Sequence, residues 1–126
     1  MTARDYTYWI STSLLALMMV ASGLAYFFVA DMAASFERMG FPDYFRIELG
    51  IAKLVGAVAL LTPIPRFLKE WTYFGFILSF VSAFIAHMAV GDPVGDIIPP
   101  VVALAILAVS YATYRQRLSA AKTPTA

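Results

Sequence analysis

Four apolar stretches constrain the fold of this chain more than any other feature of its 126 residues. They lie at about residues 8–29, 45–61, 71–90 and 97–114, each near the roughly 17 to 25 residues that a helix needs to cross a bilayer. The chain is 61% hydrophobic and 13% charged, whereas soluble domains are roughly 45–50% apolar and about 25% charged. The sequence therefore predicts a single membrane domain, residues 1–126, that folds as an all-α, integral membrane four-helix bundle.

The segment between the first two spans is too polar for the membrane interior but carries apolar residues at helical spacing. These residues are Met32, Phe36 and Met39. With Asp31 as an N-cap and Gly40 as a stop signal, the pattern predicts a short amphipathic interfacial helix at about residues 32–40. A plain linker is the alternative. At the other end of the chain, residues 119–126 are predicted to be a flexible tail.

Prolines and charges shape the remaining connections. Asp96 is predicted to be the N-cap of the last span, with Pro99 and Pro100 in or near its first turn.

The lysines and arginines outside the spans or at their ends are distributed unequally between the two sides of the membrane. Six lie in the segments on the side of the N-terminus, and two, Arg38 and Arg46, lie on the opposite side. Because short cytoplasmic loops retain positive charge, this predicts a multi-pass protein of a bacterial-type inner membrane with both termini in the cytoplasm. No basic patch is dense enough to predict nucleic-acid binding.

Three ionisable residues, Glu48, Lys53 and His87, fall inside the apolar spans. Such a side chain costs on the order of 2.5 to 3.5 kcal/mol in hydrocarbon, so each is expected to face protein, water or an opposite charge. Glu48 shares a stripe of the second span with small residues, which favour close helix packing. The small residues are Ala52, Gly56 and Ala59. This stripe is predicted to face the bundle interior or a dimer seam.

The depths of the ionisable residues predict two environments. Glu48 and His87 come to similar depth in antiparallel helices, so they are predicted to be able to pair, and Tyr26, Arg46 and Asp92 could join that network. Lys53 lies about 140° round the helix from Glu48 and about 7.5 Å deeper. It therefore needs a carboxylate from another helix, backbone carbonyls, or a bound anionic or carbonyl-bearing ligand.

Simpler interpretations stay open for the same residues. Glu48 and Lys53 could hold the helices together through hydrogen bonds, and His87 could contact headgroups or water. One histidine and one glutamate are too few for a typical metal site, so no metal is predicted. No catalytic triad, phosphate-binding glycine loop or pair of haem-ligating histidines is recognisable, and the chain has no cysteine, which excludes a thiol-relay mechanism. The sequence thus makes no positive case for catalysis and predicts no catalytic residue.

Motifs spread along the chain resemble those of the DoxX-like family of small four-helix membrane proteins. They are YWI at 8–10, SGL at 22–24, FP at 41–42, RIELGIAKLVG at 46–56, PIPR at 63–66, LKEW at 68–71, AH at 86–87, GD at 91–92 and PP at 99–100. The family's name comes from a quinone-linked thiosulfate oxidoreductase, other members look like membrane anchors for redox partners, and distant animal relatives act as assembly chaperones for receptor channels. What the resemblance carries to this chain is a polar site at Glu48, Lys53, His87 and Asp92.

Two hypotheses of function follow. The first is a non-enzymatic membrane protein that self-associates, preferably as a dimer, and acts as a partner-binding, assembly or chaperone-like factor, without a required cofactor. It would engage another membrane protein or a small lipophilic ligand such as a lipid or quinone. The second is an accessory membrane subunit of a quinone-linked redox system. There, Lys53 and His87 would hydrogen-bond the quinone oxygens and Glu48 would take part in proton transfer.

Overall fold

A computed structural model describes residues 1–122, which form five helices and no strand. The helices are α1 (Ala3–Phe28), α2 (Ala30–Arg38), α3 (Asp43–Leu61), α4 (Arg66–Ala89) and α5 (Val94–Lys122). Helix α1 packs against both α3 and α5, α4 packs against α5, and α3 meets α4 less extensively. The short helix α2 covers one end of this assembly, where it contacts α1 and α3.

Three of the helices, α1, α4 and α5, are long and apolar enough to cross a membrane. Helix α3 is 19 residues long, close to the length that a span requires. It differs from the other three because it carries four charged side chains within only 19 residues, one of them near its middle. They belong to Asp43, Arg46, Glu48 and Lys53.

The helices are longer than the apolar stretches predicted. Helix α4 begins at Arg66, and α5 begins at Val94, which places Asp96 in its first turn instead of at the N-cap. Pro99 and Pro100 lie inside α5. Because proline has no N–H, neither can donate the usual bond to the carbonyl four residues before it. Residues 119–122 of the predicted tail continue helix α5, which ends at Lys122. Residues 123–126 lie outside the described part.

Buried hydroxyl groups join three helices near the middle of the molecule. Ser110 Oγ of α5 lies 2.6 Å from Thr12 Oγ1 of α1 and 2.7 Å from Tyr73 Oη of α4. All three side chains are fully enclosed by apolar neighbours such as Leu15 and Leu60. Hydrogen bonds between helices satisfy polar groups that lipid cannot satisfy, so this cluster fixes how α1, α4 and α5 face each other.

Lys69 closes the end of α3 that is remote from α2. Its side chain is 6% exposed, and its ammonium donates to the carbonyls of Ala59, Leu60 and Thr62 at 2.7, 3.0 and 2.9 Å. The last carbonyls of a helix have no partner within the helix and carry its negative dipole end. Lys69 therefore supplies both hydrogen bonds and an opposite charge to that end.

The backbones of α1 and α3 approach each other at two glycines. A Cβ added to Gly23 would lie 3.0 Å from the carbonyl oxygen of Gly50, and one added to Gly50 would lie 2.9 Å from the Phe27 ring. Because Gly50, Lys53 and Ala57 lie on one face of α3, the contact at Gly50 also orients Lys53 and Ala57 toward the interior. The rotation of α3 is thus set by this close contact, which small residues make possible.

Helix α2 ends in a turn that folds its aromatic residues inward. Gly40 has a φ of 86°, a conformation that costs glycine little. The amide of Phe41 donates to the carbonyl of Phe36, and that of Gly40 to the carbonyl of Glu37, which is the Schellman arrangement. No side chain caps the start of α2, so the predicted N-cap role of Asp31 was wrong. The predicted helix itself is present, at Ala30–Arg38.

Candidate functional site

Lys53 is the most enclosed charge of the predicted set. Its side chain is 7% exposed and its Nζ donates to Ser22 Oγ and to Tyr26 Oη, each at 2.8 Å. The ammonium also lies 4.4 Å from the centroid of the Tyr26 ring, within the range of a cation–π interaction. Both partners project from α1 toward α3, on the side where the two helices approach at Gly23 and Gly50. All of these partners are electrically neutral.

Arg46 and Phe36 hold Tyr26 from two other sides. The Arg46 guanidinium of α3 donates to the backbone carbonyl of Tyr26, close to the end of α1, and its other end lies 3.8 Å from the Asp43 carboxylate. The Phe36 ring of α2 packs edge-on against the Tyr26 ring, with centroids 4.9 Å apart. Tyr26 therefore connects the Lys53 ammonium to the short helix α2.

Lys53 opens onto a cavity of about 580 Å³ between the helices at the α2 end of the molecule. This is within the roughly 300 to 1,000 Å³ typical of small-molecule sites. Its walls are mainly methionine and aromatic side chains with a few hydroxyl groups. They include Met18, Met19, Met32, Met39, Phe36, Phe41, Phe45, Phe80, Ser22, Ser35, Ser79 and Ser82. The apolar face of α2 thus forms part of a cavity wall, and His87 lines the same cavity.

His87 and Asp92 form an ion-pair network with Arg38 at the edge of this cavity. His87 Nδ1 lies 2.5 Å from Asp92 Oδ2, and the Arg38 guanidinium of α2 donates to both oxygens of the same carboxylate. The Asp92 side chain is 5% exposed although it lies in the turn between α4 and α5. The network therefore ties α2 to the α4–α5 turn, and we call it the α2 tether.

A local backbone motif brings His87 and Asp92 together. Helix α4 ends in a Schellman arrangement in which the amide of Asp92 donates to the carbonyl of His87 at 3.0 Å. Gly91, with a φ of 72°, provides the left-handed residue that this turn requires. The turn therefore brings together His87 and Asp92, which are five residues apart in the sequence, with their side chains on the same side.

The tether also favours the charged forms of Asp92 and Arg38. The hydrogen bond from Arg38, and then that with His87, lowers the pKa of Asp92 below its ordinary value of 3.8. The same bond with Asp92 raises the pKa of Arg38. A carboxyl with a lowered pKa stabilises the folded arrangement above its ordinary pKa and stops doing so only as the pH falls through the lowered value.

We expect the tether to hold α2 from about pH 8 to about pH 5 and to release it only in stronger acid. Because the chain has no cysteine, spin labels at Glu37→Cys and Val94→Cys can report the distance from α2 to the start of α5. The wild-type distance distribution should stay narrow through this range, whereas Asp92→Asn should broaden it at every pH. Asp31→Asn, which removes an acid of α2 outside the tether, is the matched control. Identical distributions for wild type and Asp92→Asn would contradict the assignment.

Glu48 lies apart from both networks, so the predicted approach of Glu48 to His87 is not found. Its side chain is exposed, and within residues 1–122 it has no hydrogen-bond or ion-pair partner. The reason is the rotation of α3, which turns the face with Gly50 and Lys53 inward and the face with Glu48 and Ala52 outward. His87 instead pairs with Asp92 of its own turn.

The other two small residues of the predicted stripe lie nearer the interior. Gly56 packs against α4 so closely that an added Cβ would come within 2.3 Å of Phe76 Cζ. Ala59 is half-buried and gives its carbonyl to Lys69. Only the Glu48 and Ala52 part of the stripe is therefore left open on the surface of the molecule.

Sequence reasoning placed Arg38 only among the loop charges and did not find its role. Arg38 is the last residue of α2 and meets Asp92, which lies 54 positions later. The sequence offered one indication of this contact. Its predicted topology places the amphipathic helix, which ends in Arg38, on the same side of the membrane as the acidic turn that contains Asp92. A contact between specific members of those two groups depends on how α2 is folded back.

One comparison with known proteins gives a match. The family model described as the DoxX-like family matches residues 10–110, a range that contains Lys53, His87 and Asp92. Neither a curated protein nor a solved structure matches the chain. The match covers well over half of the sequence, and the apolar helices α1, α4 and α5 make this a multi-pass membrane protein. The chain belongs to the DoxX-like family.

Proposed function

We propose that this protein is a non-enzymatic membrane protein that retains a small lipophilic molecule in the cavity beneath α2. The observation that carries the proposal is the position of Lys53, whose buried ammonium meets the neutral hydroxyls of Ser22 and Tyr26 and opens onto an apolar cavity. In a membrane such a charge is costly, and a ligand with an acceptor oxygen would lower the cost. Bound ligand would also support the packing of α2, which presents Met32, Phe36 and Met39 to the cavity.

The membrane arrangement that we propose has four spans, with α3 crossing beside α1. Lys53, the charge nearest the middle of α3, is enclosed by α1, and Arg46 is mostly covered. Together with the unequal distribution of lysine and arginine between the loops, this favours a four-helix bundle in a bacterial-type inner membrane, with both termini in the cytoplasm. The helix α2 then lies at the outer surface.

We further propose that the protein self-associates, preferably as a dimer, and that it acts on a partner membrane protein in assembly. The open face of α3 supports this because it joins the unpaired Glu48 to apolar residues. They include Ile47, Ile51, Ala52 and Val55. A carboxylate on a lipid-facing surface is costly, so contact with another chain that supplies a hydrogen-bond donor would stabilise this face.

An accessory role in a quinone-linked redox system is the second candidate. Lys53 and His87 line the same cavity, so the two oxygens of a quinone have two nitrogen-bearing side chains available. His87 is oriented by its Nδ1 contact with Asp92, which leaves Nε2 as its other polar atom. Glu48 lies outside the cavity, and proton transfer through it is therefore no part of this candidate.

A single mass measurement separates these proposals. Native mass spectrometry of the full chain, released from lipid nanodiscs, should show a complex of two chains and one retained lipophilic molecule per chain. Ala83→Trp, which places a large ring on the cavity wall, should remove the retained mass, whereas Val81→Trp on an exposed face of the same helix should not. A retained quinone would favour the redox candidate, and any other lipophile would favour the first.

Two results would contradict the proposals separately. Chains that carry no additional mass under gentle release, with Ala83→Trp no different from wild type, would remove the ligand-binding function. A strictly monomeric mass over a wide dilution range would remove the self-association and leave ligand binding untouched. Val81→Trp guards against a general effect of tryptophan on α4.

A further inference from the structure

The hydrogen-bonding capacity of Lys53 is incompletely used. An ammonium group carries three N–H donors, and the protein supplies the oxygens of Ser22 and Tyr26 for two of them. The remaining donor belongs to a side chain that is 7% exposed and that lines the cavity. A ligand head in the cavity therefore has one charged donor within reach.

In the part of the chain that the structure describes, no acid pairs with Lys53. Within residues 1–122, no carboxylate lies within 4.0 Å of its Nζ. The acid among the cavity-lining residues is Asp96, which is exposed and whose charge acts on Arg38 at the rim. Asp92 is engaged by Arg38 and His87. The positive charge at the inner part of the cavity thus has neutral oxygens beside it but no counter-ion.

The rest of the cavity is suited to hydrocarbon. Four methionines, two from α1, one from α2 and one at the C-cap of α2, and four phenylalanines surround its apolar part. Methionine is flexible and polarizable, so a wall made of it adapts to a chain of irregular shape. The combination of one buried cation with an apolar, adaptable wall matches an amphiphile, because both halves of such a molecule find complementary surroundings.

We infer that the molecule retained in the cavity is an amphiphile whose anionic head, through a negatively charged oxygen, binds the Lys53 ammonium while its alkyl chain packs against the methionine and phenylalanine walls. This inference rests on the proposed ligand-binding function and specifies its ligand class. An opposite charge within hydrogen-bonding distance satisfies the third donor and neutralises the cation at once, which no neutral head can do. A fatty carboxylate and a lipid phosphate monoester share this head chemistry.

The test compares heads on one identical chain. The full protein, in nanodiscs of phosphatidylcholine, is titrated with hexadecanoate, hexadecanol and hexadecyl phosphate at a pH at which the carboxylate is ionised. Wild type should bind hexadecanoate at least about tenfold more tightly than hexadecanol, the size expected of a charge-assisted hydrogen bond. Lys53→Met should reduce that ratio of affinities to about one, mainly by weakening the binding of hexadecanoate. Lys53→Arg should keep the preference, and Lys122→Met, at the end of α5, is the matched control.

Each outcome bears on a different claim. Equal binding of acid and alcohol by wild type would overturn the ligand class while leaving the proposed function intact, and this comparison needs no variant. Binding of neither molecule by wild type would overturn both. An acid preference that persists in folded Lys53→Met would place the anion elsewhere and overturn the assignment to Lys53. Tighter binding of hexadecyl phosphate than of hexadecanoate, again lost in Lys53→Met, would support the inference and assign a lipid phosphate as the source.

Discussion

Gly23→Leu should separate α1 from α3 and lower the free energy of unfolding by about 3 kcal/mol, as expected when a well-packed contact is overfilled. A Cβ at this position would already lie 3.0 Å from the carbonyl oxygen of Gly50 and 3.2 Å from the Leu54 side chain, and the backbone atom cannot rotate away. Movement of α3 would also carry Lys53 away from Ser22 and Tyr26. The variant should therefore lose both stability in detergent unfolding titrations and any ligand retained in the cavity.

The control for the stability measurement is Gly75→Ala in α4, where an added Cβ has no atom within 4 Å apart from the local backbone of its own helix. Alanine favours a helix over glycine by up to about 1 kcal/mol, so this variant should be as stable as wild type or more so. A Gly23→Leu protein with wild-type stability and retained ligand would mean that α1 and α3 are not held at this contact.

Lys69→Met should cost about 2 to 3 kcal/mol of unfolding free energy by removing a charged donor from the end of α3. The carbonyls of Ala59, Leu60 and Thr62 would lose their hydrogen bonds with Lys69 in a place where its side chain is 6% exposed and water has little access. The loss should be localised, so hydrogen exchange should become faster over the last turn of α3 than over its middle.

Arg66→Met tests whether charge alone explains the effect of Lys69. Arg66 lies in the first turn of α4, the helix that also carries Lys69. Its side chain is 46% exposed, however, and its ion pair with Glu70 is long, at 4.0 Å. An exposed pair of this kind contributes at most about 1 kcal/mol. If Arg66→Met destabilised the protein as much as Lys69→Met, the three carbonyl bonds would not be the source of the stability.

The helical fold was predictable because lipid leaves few alternatives. Apolar stretches of about twenty residues must satisfy their backbone groups internally, which makes them helices. Gly40, read as a stop signal, ends α2 as predicted, because its positive φ suits glycine. The exact ends of the helices were harder to predict. Helices α4 and α5 begin earlier than hydrophobicity indicates, because polar first turns can extend beyond the membrane.

The depth of the ionisable residues along their helices could be predicted from the sequence, but the direction in which each side chain faces could not. Lys53 was expected to need a carboxylate, backbone carbonyls or a bound ligand, whereas the structure places the hydroxyls of Ser22 and Tyr26 beside it. Asp92 was expected near His87, and the turn at Gly91 places it there. Glu48 was expected to face either the bundle interior or a dimer seam because it shares a stripe with small residues. Two faces of α3 carry small residues, however, and a helical wheel does not tell which one meets α1.

The sequence alone determined that this protein is helical, membrane-embedded and supplied with a few ionisable groups at different depths. These properties follow from composition and from the cost of polar groups in lipid, which act on each segment separately. The tertiary structure decided which groups meet: the contact of Gly23 with Gly50 rotates α3, and the tether from Arg38 to Asp92 folds α2 over the cavity. Such choices depend on the fit between distant segments, whose packing energies do not appear in the pattern of any one helix.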